Sequence, residues 1–144
     1  MWRIALVALL LAIGIWLAID ALVKTDAERV EDEVARLVDL AREGGEGAAG
    51  GILAALADDY RGSGGFSRAR IEGYVRQYLV EDRPEEITTG KPIAVPKGDE
   101  ILIPILRIDA RTKRSAGSAV LRLTFAERDG RFRIVNVENW SLER

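Results

Sequence analysis

The side chains available for acid, base or nucleophilic chemistry in this chain are restricted to Asp, Glu, Lys and Tyr. Its 144 residues include no histidine and no cysteine. Their absence excludes Ser-His-Asp and Cys-His mechanisms, thiolate nucleophiles, disulfides and zinc-thiolate sites. It leaves open the redox state of the compartment in which the protein works.

Two adjacent carboxylates, Asp58 and Asp59, form one candidate for a metal site or a general base. Paired carboxylates can chelate a hard cation or share a proton. Neighbouring residues of a helix project about 100° apart, so only one of the two can face inward. A solvated pair at a helix end is the favoured interpretation, and we predict no catalytic residue, metal ligand or cofactor.

A third carboxylate, Glu138, lies near Trp140 at the end of the chain. In a regular strand Phe132, Ile134, Glu138 and Trp140 share one face, provided that no bulge intervenes. An apolar setting would raise the pKa of Glu138 and suit it to general acid or base chemistry. The favoured alternative is a solvated carboxylate at an open rim.

Two tyrosines, Tyr74 and Tyr78, are one helical turn apart and share a face with Ile71. This spacing is typical of a packing face, and we expect Ile71 and Tyr78 to meet Phe132 and Trp140 in the core. The candidate ligand pocket combines aromatic residues with one carboxylate: Tyr60, Tyr74, Tyr78, Glu138 and Trp140.

The overall charge limits the partners of the chain. Its 21 basic and 23 acidic residues give a net charge of -2. No global positive field is available to hold nucleic acid, so we predict no nucleic-acid partner. A protein partner, a second copy of the chain or a small ligand remain open.

The N-terminal segment is strongly apolar, since residues 4–19 contain no charged side chain. A helix over residues 4–23 rises roughly 30 Å, which matches one hydrocarbon core. Trp2 and Trp16 lie near its ends, where aromatic rings favour the membrane interface. The pattern predicts a transmembrane signal anchor over residues 1–24, with the membrane contacted through residues 4–23.

A cleaved secretory peptide is the competing interpretation of this segment, but the residues from Ala18 to Ala21 do not form a small-x-small cleavage site. Arg3 precedes the segment, whereas acidic residues crowd the chain after it. The positive-inside rule then predicts a single-pass protein with a cytoplasmic N-terminus and its domain on the extracytoplasmic side.

Residues 25–144 are expected to form one domain. Thr25 and Glu28 form a capping box that opens a helix, and Gly44 and Gly45 end it. Its apolar stripe fits a domain core or, less well, a coiled-coil seam. The glycines of residues 44–51 predict a flexible joint, followed by a short helix over residues 52–60 and a third helix capped by Ser67.

From residue 86 onward the hydrophobic period changes to two, which predicts strands near residues 87–95, 100–111, 118–127 and 131–142. Asp129-Gly130 is typical of a tight hairpin turn, and Pro104 predicts a bulge or an edge. Helices followed by consecutive antiparallel strands indicate an α+β layer of about three helices on a curved sheet of about four strands.

Several short sequence segments resemble the nuclear transport factor 2-like (SnoaL-like, cystatin-like) superfamily. They are Ala57-Asp58-Asp59-Tyr60, the segment from Ser67 to Ile71, and the final hairpin from Leu123 to Val135 followed by Trp140. The resemblance covers residues 26–140. It implies a cone in which a curved sheet wraps around a helix and leaves a cavity. It does not imply one activity, because the superfamily uses that cavity for isomerisation as well as for binding.

Three function classes follow. The first is a membrane-tethered, non-catalytic binding or assembly module that offers its cavity or sheet face to a protein or small ligand. The second is a small carboxylate-dependent isomerase or dehydratase, which requires a closed apolar pocket around a carboxylate. The third is a structural subunit of a membrane complex. A binding module is the favoured interpretation.

Overall fold

Helices precede strands along the chain, as the change of hydrophobic period predicts. A computed structural model describes residues 2–22, 25–62, 66–81, 83–113 and 115–141. Within these ranges the chain is α+β, with four α-helices, one π-helical turn and five strands. In order they are α1 (Trp2–Leu22), α2 (Asp26–Glu43), α3 (Gly45–Leu53), α4 (Arg68–Arg76), the π-helical turn (Gln77–Glu81), β1 (Glu86–Thr89), β2 (Val95–Lys97), β3 (Glu100–Arg111), β4 (Ala116–Arg128) and β5 (Arg131–Ser141).

Helix α1 does not support the predicted transmembrane anchor. Its described side chains run from Trp2 to Ala18, and all of them are exposed. Among the described residues, no helix combines the length and the apolar character needed to cross a bilayer.

Helix α2 begins and ends where the sequence predicts. The Thr25 hydroxyl accepts a hydrogen bond from the Glu28 amide, and the Glu28 carboxylate accepts one from the Thr25 amide. Val30 and Val34, 0% and 2% exposed, enter the same core cluster as the sheet residues. The apolar stripe therefore serves the domain core, which decides against the coiled-coil alternative.

The glycine-rich segment after α2 is helical, so the predicted flexible joint is wrong. Ala48 and Ala49 of α3 are buried. A Cβ atom at Gly51 would lie 3.0 Å from the Cδ1 atom of Leu40 in α2. Small residues thus allow α3 to pack closely against α2, and this tertiary contact outweighs the low helix propensity of glycine.

The helix predicted over residues 52–60 is also wrong, because α3 ends at Leu53 and the chain then follows the free edge of β5. Ile134 donates its amide to the carbonyl of Ala55 at 2.8 Å, and its own carbonyl accepts from Ala57 at 2.9 Å. Arg61 donates to the carbonyl of Val135 at 3.0 Å. Residues 55–61 therefore cover part of a strand edge.

The third predicted helix is present. Ser67 caps α4 by accepting a hydrogen bond from the amide of Arg70. After Arg76 the helix widens into the π-helical turn, in which Leu79 is buried. Pro84 follows shortly after this turn, in line with the sequence expectation that the helix ends before it.

The sheet is antiparallel throughout, in the order β1-β3-β4-β5, and β2 also pairs with β3. The predicted first strand is divided into β1 and β2, which gives five strands instead of four. Asp129 and Gly130 form the predicted hairpin turn with φ angles of 55° and 79°. The register of β3 against β4 shifts between Ile103 and Leu106, which confirms a bulge at Pro104.

The core lies between one face of the sheet, helix α2 and residues 55–57. Its largest fully buried side chains are Phe125, Ile103, Val30 and Val34. Tyr78 is 48% exposed, so the predicted core contact through this residue is wrong. Phe132 and Ile71 pack only at the margin of the core, and the side chain of Trp140 lies outside the described residues.

Candidate functional site

The interior between the helices and the sheet is filled by apolar side chains. Among the described residues, no polar or charged side chain is buried. A general acid or base in a closed apolar pocket requires a buried titratable group. The described interior provides none, so a functional site must be sought at the rim and on the outer surfaces.

Tyr60 is more enclosed than Tyr74 and Tyr78, which are both exposed. Its half-buried ring packs against the core, and its hydroxyl donates a hydrogen bond to the carbonyl of Phe66 at 2.7 Å. Burial raises the pKa of Tyr60 to about 12, although hydrogen bonding and the charge of Arg68 act in the opposite direction. A phenol with this pKa remains protonated near neutral pH and acts here as a donor that fixes a loop.

Tyr74 and Tyr78 lie on the outside of the domain. Tyr74 belongs to α4 and is 41% exposed, and its ring centroid is 6.5 Å from that of Phe66. Tyr78 belongs to the π-helical turn. Both tyrosine side chains are therefore on the surface and do not belong to the core. The pair is a candidate contact area for a ligand or partner.

Glu138 lies on the outer face of the sheet because the pairing of β5 with β4 is irregular. The sequence predicted a shared face with Phe132 and Ile134 only if no bulge intervened. Phe125 pairs with Ile134 and Thr124 with Asn136, so that Val135 is an extra residue. Beyond this point Val137 is the buried residue. Glu138 pairs instead with Arg122, whose Nη1 is 3.9 Å from its carboxylate, and Asn136 donates to it at 3.2 Å.

Trp140 is part of β5 at a second shift in register, between the pairs Val120–Ser141 and Leu121–Asn139. The side chain of Trp140, which the sequence predicts to line the pocket, lies outside the described residues. Tyr60 packs at the margin of the core, Tyr74 and Tyr78 are exposed on α4 and the π-helical turn, and Glu138 lies on the outer face of the sheet. The ligand-pocket assignment as a whole stays a prediction.

The adjacent carboxylates Asp58 and Asp59 are both exposed. Asp59 accepts two hydrogen bonds from Arg128, at 3.0 and 3.2 Å. This pairing lowers the pKa of Asp59 below its usual value, which keeps the carboxylate ionised and makes it a poor proton donor. Over the described ranges, no three acidic side chains come together in a way that would hold a metal ion.

The sequence interpretation missed a basic cavity of about 440 Å³ at the rim, where α2, the end of α3 and the start of β5 meet. Its charged lining consists of four arginines and one glutamate: Arg29, Arg36, Arg131, Arg133 and Glu33. Two features of the sequence could have indicated this basic cavity. Arg29 and Arg36 are seven residues apart, which is two helical turns, and Arg131 and Arg133 alternate along a strand.

A second cavity of about 470 Å³ shares the lining residue Phe132 with the first. Its charged residues are all acidic: Asp26, Asp99 and Glu127. Two neighbouring cavities of opposite charge thus have one aromatic residue in common. This rim, the basic cavity above all, is the candidate functional site.

Solved structures share this fold. The chain matches a nuclear transport factor 2-like protein of unknown function from Pseudomonas aeruginosa with a TM-score of 0.60 at 10% identity, over 77% of this chain and 96% of that one. It matches a nuclear transport factor 2-like protein with a cystatin-like fold from Novosphingobium aromaticivorans with a TM-score of 0.55 at 21% identity, over 90% and 86% of the two chains.

The protein Bd1075 of Bdellovibrio bacteriovorus is also similar, with a TM-score of 0.56 at 12% identity over 78% of this chain. The match spans only 41% of the length of that protein. No protein-family model and no curated protein sequence matches the chain. These likenesses confirm the nuclear transport factor 2-like, cystatin-like fold, and at such identities they carry no information on activity.

Proposed function

We propose that this chain is a non-catalytic binding module that uses its rim and outer surfaces to hold a small ligand or a protein. The observation that carries the proposal is the wholly apolar set of buried side chains in the described core. A fold of this kind serves both ligand binding and enzymes, so the choice between them depends on the groups present and not on the fold.

The alternative, a carboxylate-dependent isomerase or dehydratase, needs a carboxylate whose surroundings favour proton transfer near neutral pH. The three candidate carboxylates are Asp58, Asp59 and Glu138. Asp58 and Asp59 are exposed, and Glu138 is half-buried on the outer face of the sheet within ion-pair distance of Arg122. Two hydrogen bonds from Arg128 lower the pKa of Asp59, which favours its ionised form and opposes its use as a general acid.

Attachment through helix α1 is the second part of the proposal. Its large apolar side chains are 46% to 76% exposed, for instance Ile13 and Ile4. Apolar surface is unfavourable in water by about 25 cal/mol per Å², so this helix favours contact with another apolar surface. We propose a membrane surface as that contact. The predicted orientation, with a cytoplasmic N-terminus and the domain outside, is part of this proposal.

A ligand screen on the full-length chain in mild detergent tests the proposal. Saturation-transfer NMR against a library of small metabolites is expected to reveal bound compounds that are recovered unchanged after prolonged incubation. Conversion of a bound compound that Asp58→Asn, Asp59→Asn or Glu138→Gln abolishes, while the control variant Glu72→Gln at an exposed position of α4 retains it, would establish the enzyme instead. Absence of any bound compound would contradict a module for small ligands.

A further inference from the structure

The basic cavity at the rim, defined above by Arg29, Arg36, Arg131, Arg133 and Glu33, concentrates positive charge in a protein whose net charge is negative. Four arginines and one glutamate line this volume of about 440 Å³. Bringing like charges together is unfavourable unless an opposite charge compensates them. An anion supplied by a ligand would provide this compensation.

Two of the four arginines are held in place by the protein. Arg36 donates to both carboxylate oxygens of Glu33, at 2.5 and 3.0 Å. Arg133 donates to the carbonyl of Ala54 at 3.0 Å. Such contacts fix the direction of a guanidinium group and reduce the entropy lost when it binds a ligand.

The other two arginines retain donors for a ligand. Arg29 forms an exposed ion pair with Asp26 at 3.9 Å, and pairs of this kind contribute little. The side chain of Arg131 is exposed and forms no hydrogen bond or ion pair with a side chain of the described ranges, although its main chain is paired with Arg128 in the hairpin. These two groups come from α2 and β5, so a ligand between them would connect the helix with the sheet.

The geometry points to a binding site for a small organic anion, in which Arg29 and Arg131 donate to a phosphate or carboxylate group and Phe132 contacts the apolar part of the same molecule. This inference rests on the proposed function, because it names the ligand class that the binding module would take. Guanidinium groups bind such oxyanions through parallel hydrogen bonds, which give direction as well as strength.

The size and surroundings of the cavity favour a small molecule over a polymer. A volume of about 440 Å³ is in the usual range for small-molecule sites. The acidic cavity that shares Phe132 with the basic one repels an extended polyanion that would continue beyond the arginines. The acidic residues of that second cavity favour a ligand with a single anionic end, which would be oriented toward the arginines.

Titration of the full-length chain in neutral detergent with phenyl phosphate tests this site, because the probe joins one phosphate group to one aromatic ring. We expect saturable chemical-shift changes at the amides of residues 29–36 and 130–133. Arg29→Gln and Arg131→Gln should each weaken binding by about tenfold, the loss expected for a hydrogen bond to a charged group. Inorganic phosphate, which lacks the ring, should bind more weakly.

Two further variants separate a specific site from general charge attraction. Glu33→Gln should strengthen binding, because it removes a carboxylate that repels the anion from the lining of the cavity. Arg76→Gln removes the same charge from an exposed position on α4 outside the cavity and should leave binding unchanged. Melting temperatures of all variants establish that each one is folded.

Equal weakening by Arg76→Gln and Arg131→Gln, or no saturation with phenyl phosphate, would overturn the anion site. Either result would leave the proposed function intact if the metabolite screen finds a ligand elsewhere on the domain. Conversion of a bound compound would instead overturn the proposed function. The two failures are therefore distinguishable.

Discussion

The inner and outer faces of β4 and β5 are built from alternate residues of the same two strands, yet their environments are opposite. On the inner face Leu123, Phe125 and Val137 are 0% to 6% exposed and meet other apolar side chains. On the outer face the side chains of Arg122 and Glu138 are 30% and 41% exposed and lie within ion-pair distance.

The contrast shows which face stabilises the protein and which surfaces are available to contact a ligand or partner. An inner face without polar groups contributes packing energy and offers no hydrogen bonds to a ligand. An outer face and rim with charged groups contribute little stability and remain available for recognition. The comparison can be tested by changing one residue at a time on the inner face, between the two regions, and on the outer face.

The largest effect is expected on the inner face. Phe125→Ala removes a fully buried ring from the centre of the core and should reduce the free energy of unfolding by about 3–5 kcal/mol. Chemical denaturation followed by circular dichroism measures this loss. The neighbouring outer-face variant Thr124→Ala serves as the control and should change stability far less. A similar loss for both variants would contradict the comparison.

An intermediate effect is expected at Tyr60, which lies at the margin between core and surface. Tyr60→Phe removes the hydrogen bond to Phe66 and should lower the free energy of unfolding by about 1 kcal/mol. The wild-type chain should also lose stability as pH rises from about 10 toward about 12, because the unfolded phenol ionises before the folded one.

Denaturation at a series of pH values measures this dependence. Tyr60→Phe cannot titrate at this position and should show a smaller loss over the same pH range. If the variant and the wild-type chain lose stability in parallel, another group is responsible for the dependence. The raised pKa of Tyr60 would then have no role in the stability of the fold.

The smallest effect is expected on the outer face. Glu138→Gln removes a solvated ion pair with Arg122 and should change the free energy of unfolding by less than about 1 kcal/mol. Thermal melts of the variant and the wild-type chain provide the measurement. A larger loss would mean that the outer face contributes to stability as the inner face does.

Much of the fold was predictable because local chemistry and tertiary packing agree. The Thr25–Glu28 capping box, the Asp129-Gly130 turn and the irregularity at Pro104 each arise from a backbone requirement that the sequence displays directly. Helix α3 was missed for the opposite reason. Its glycines argue locally against a helix, whereas one of them, Gly51, leaves room for the close contact with Leu40.

The candidate site was less predictable, since it depends on register and on contacts distant in sequence. The position of Glu138 depends on one extra residue at Val135, which alternation alone does not reveal. Arg29 and Arg131 are about a hundred residues apart and meet only because α2 packs near the start of β5. No local pattern predicts such an encounter.

The extra residue at Val135 determines where a catalytic residue could be engineered into this fold. It shifts the strand by one position, so that Val137 and not Glu138 points into the packed interior. An engineered general base therefore belongs at the position of Val137, opposite Leu123. A carboxylate there would be desolvated with a raised pKa, whereas Glu138 can be varied freely as a surface residue.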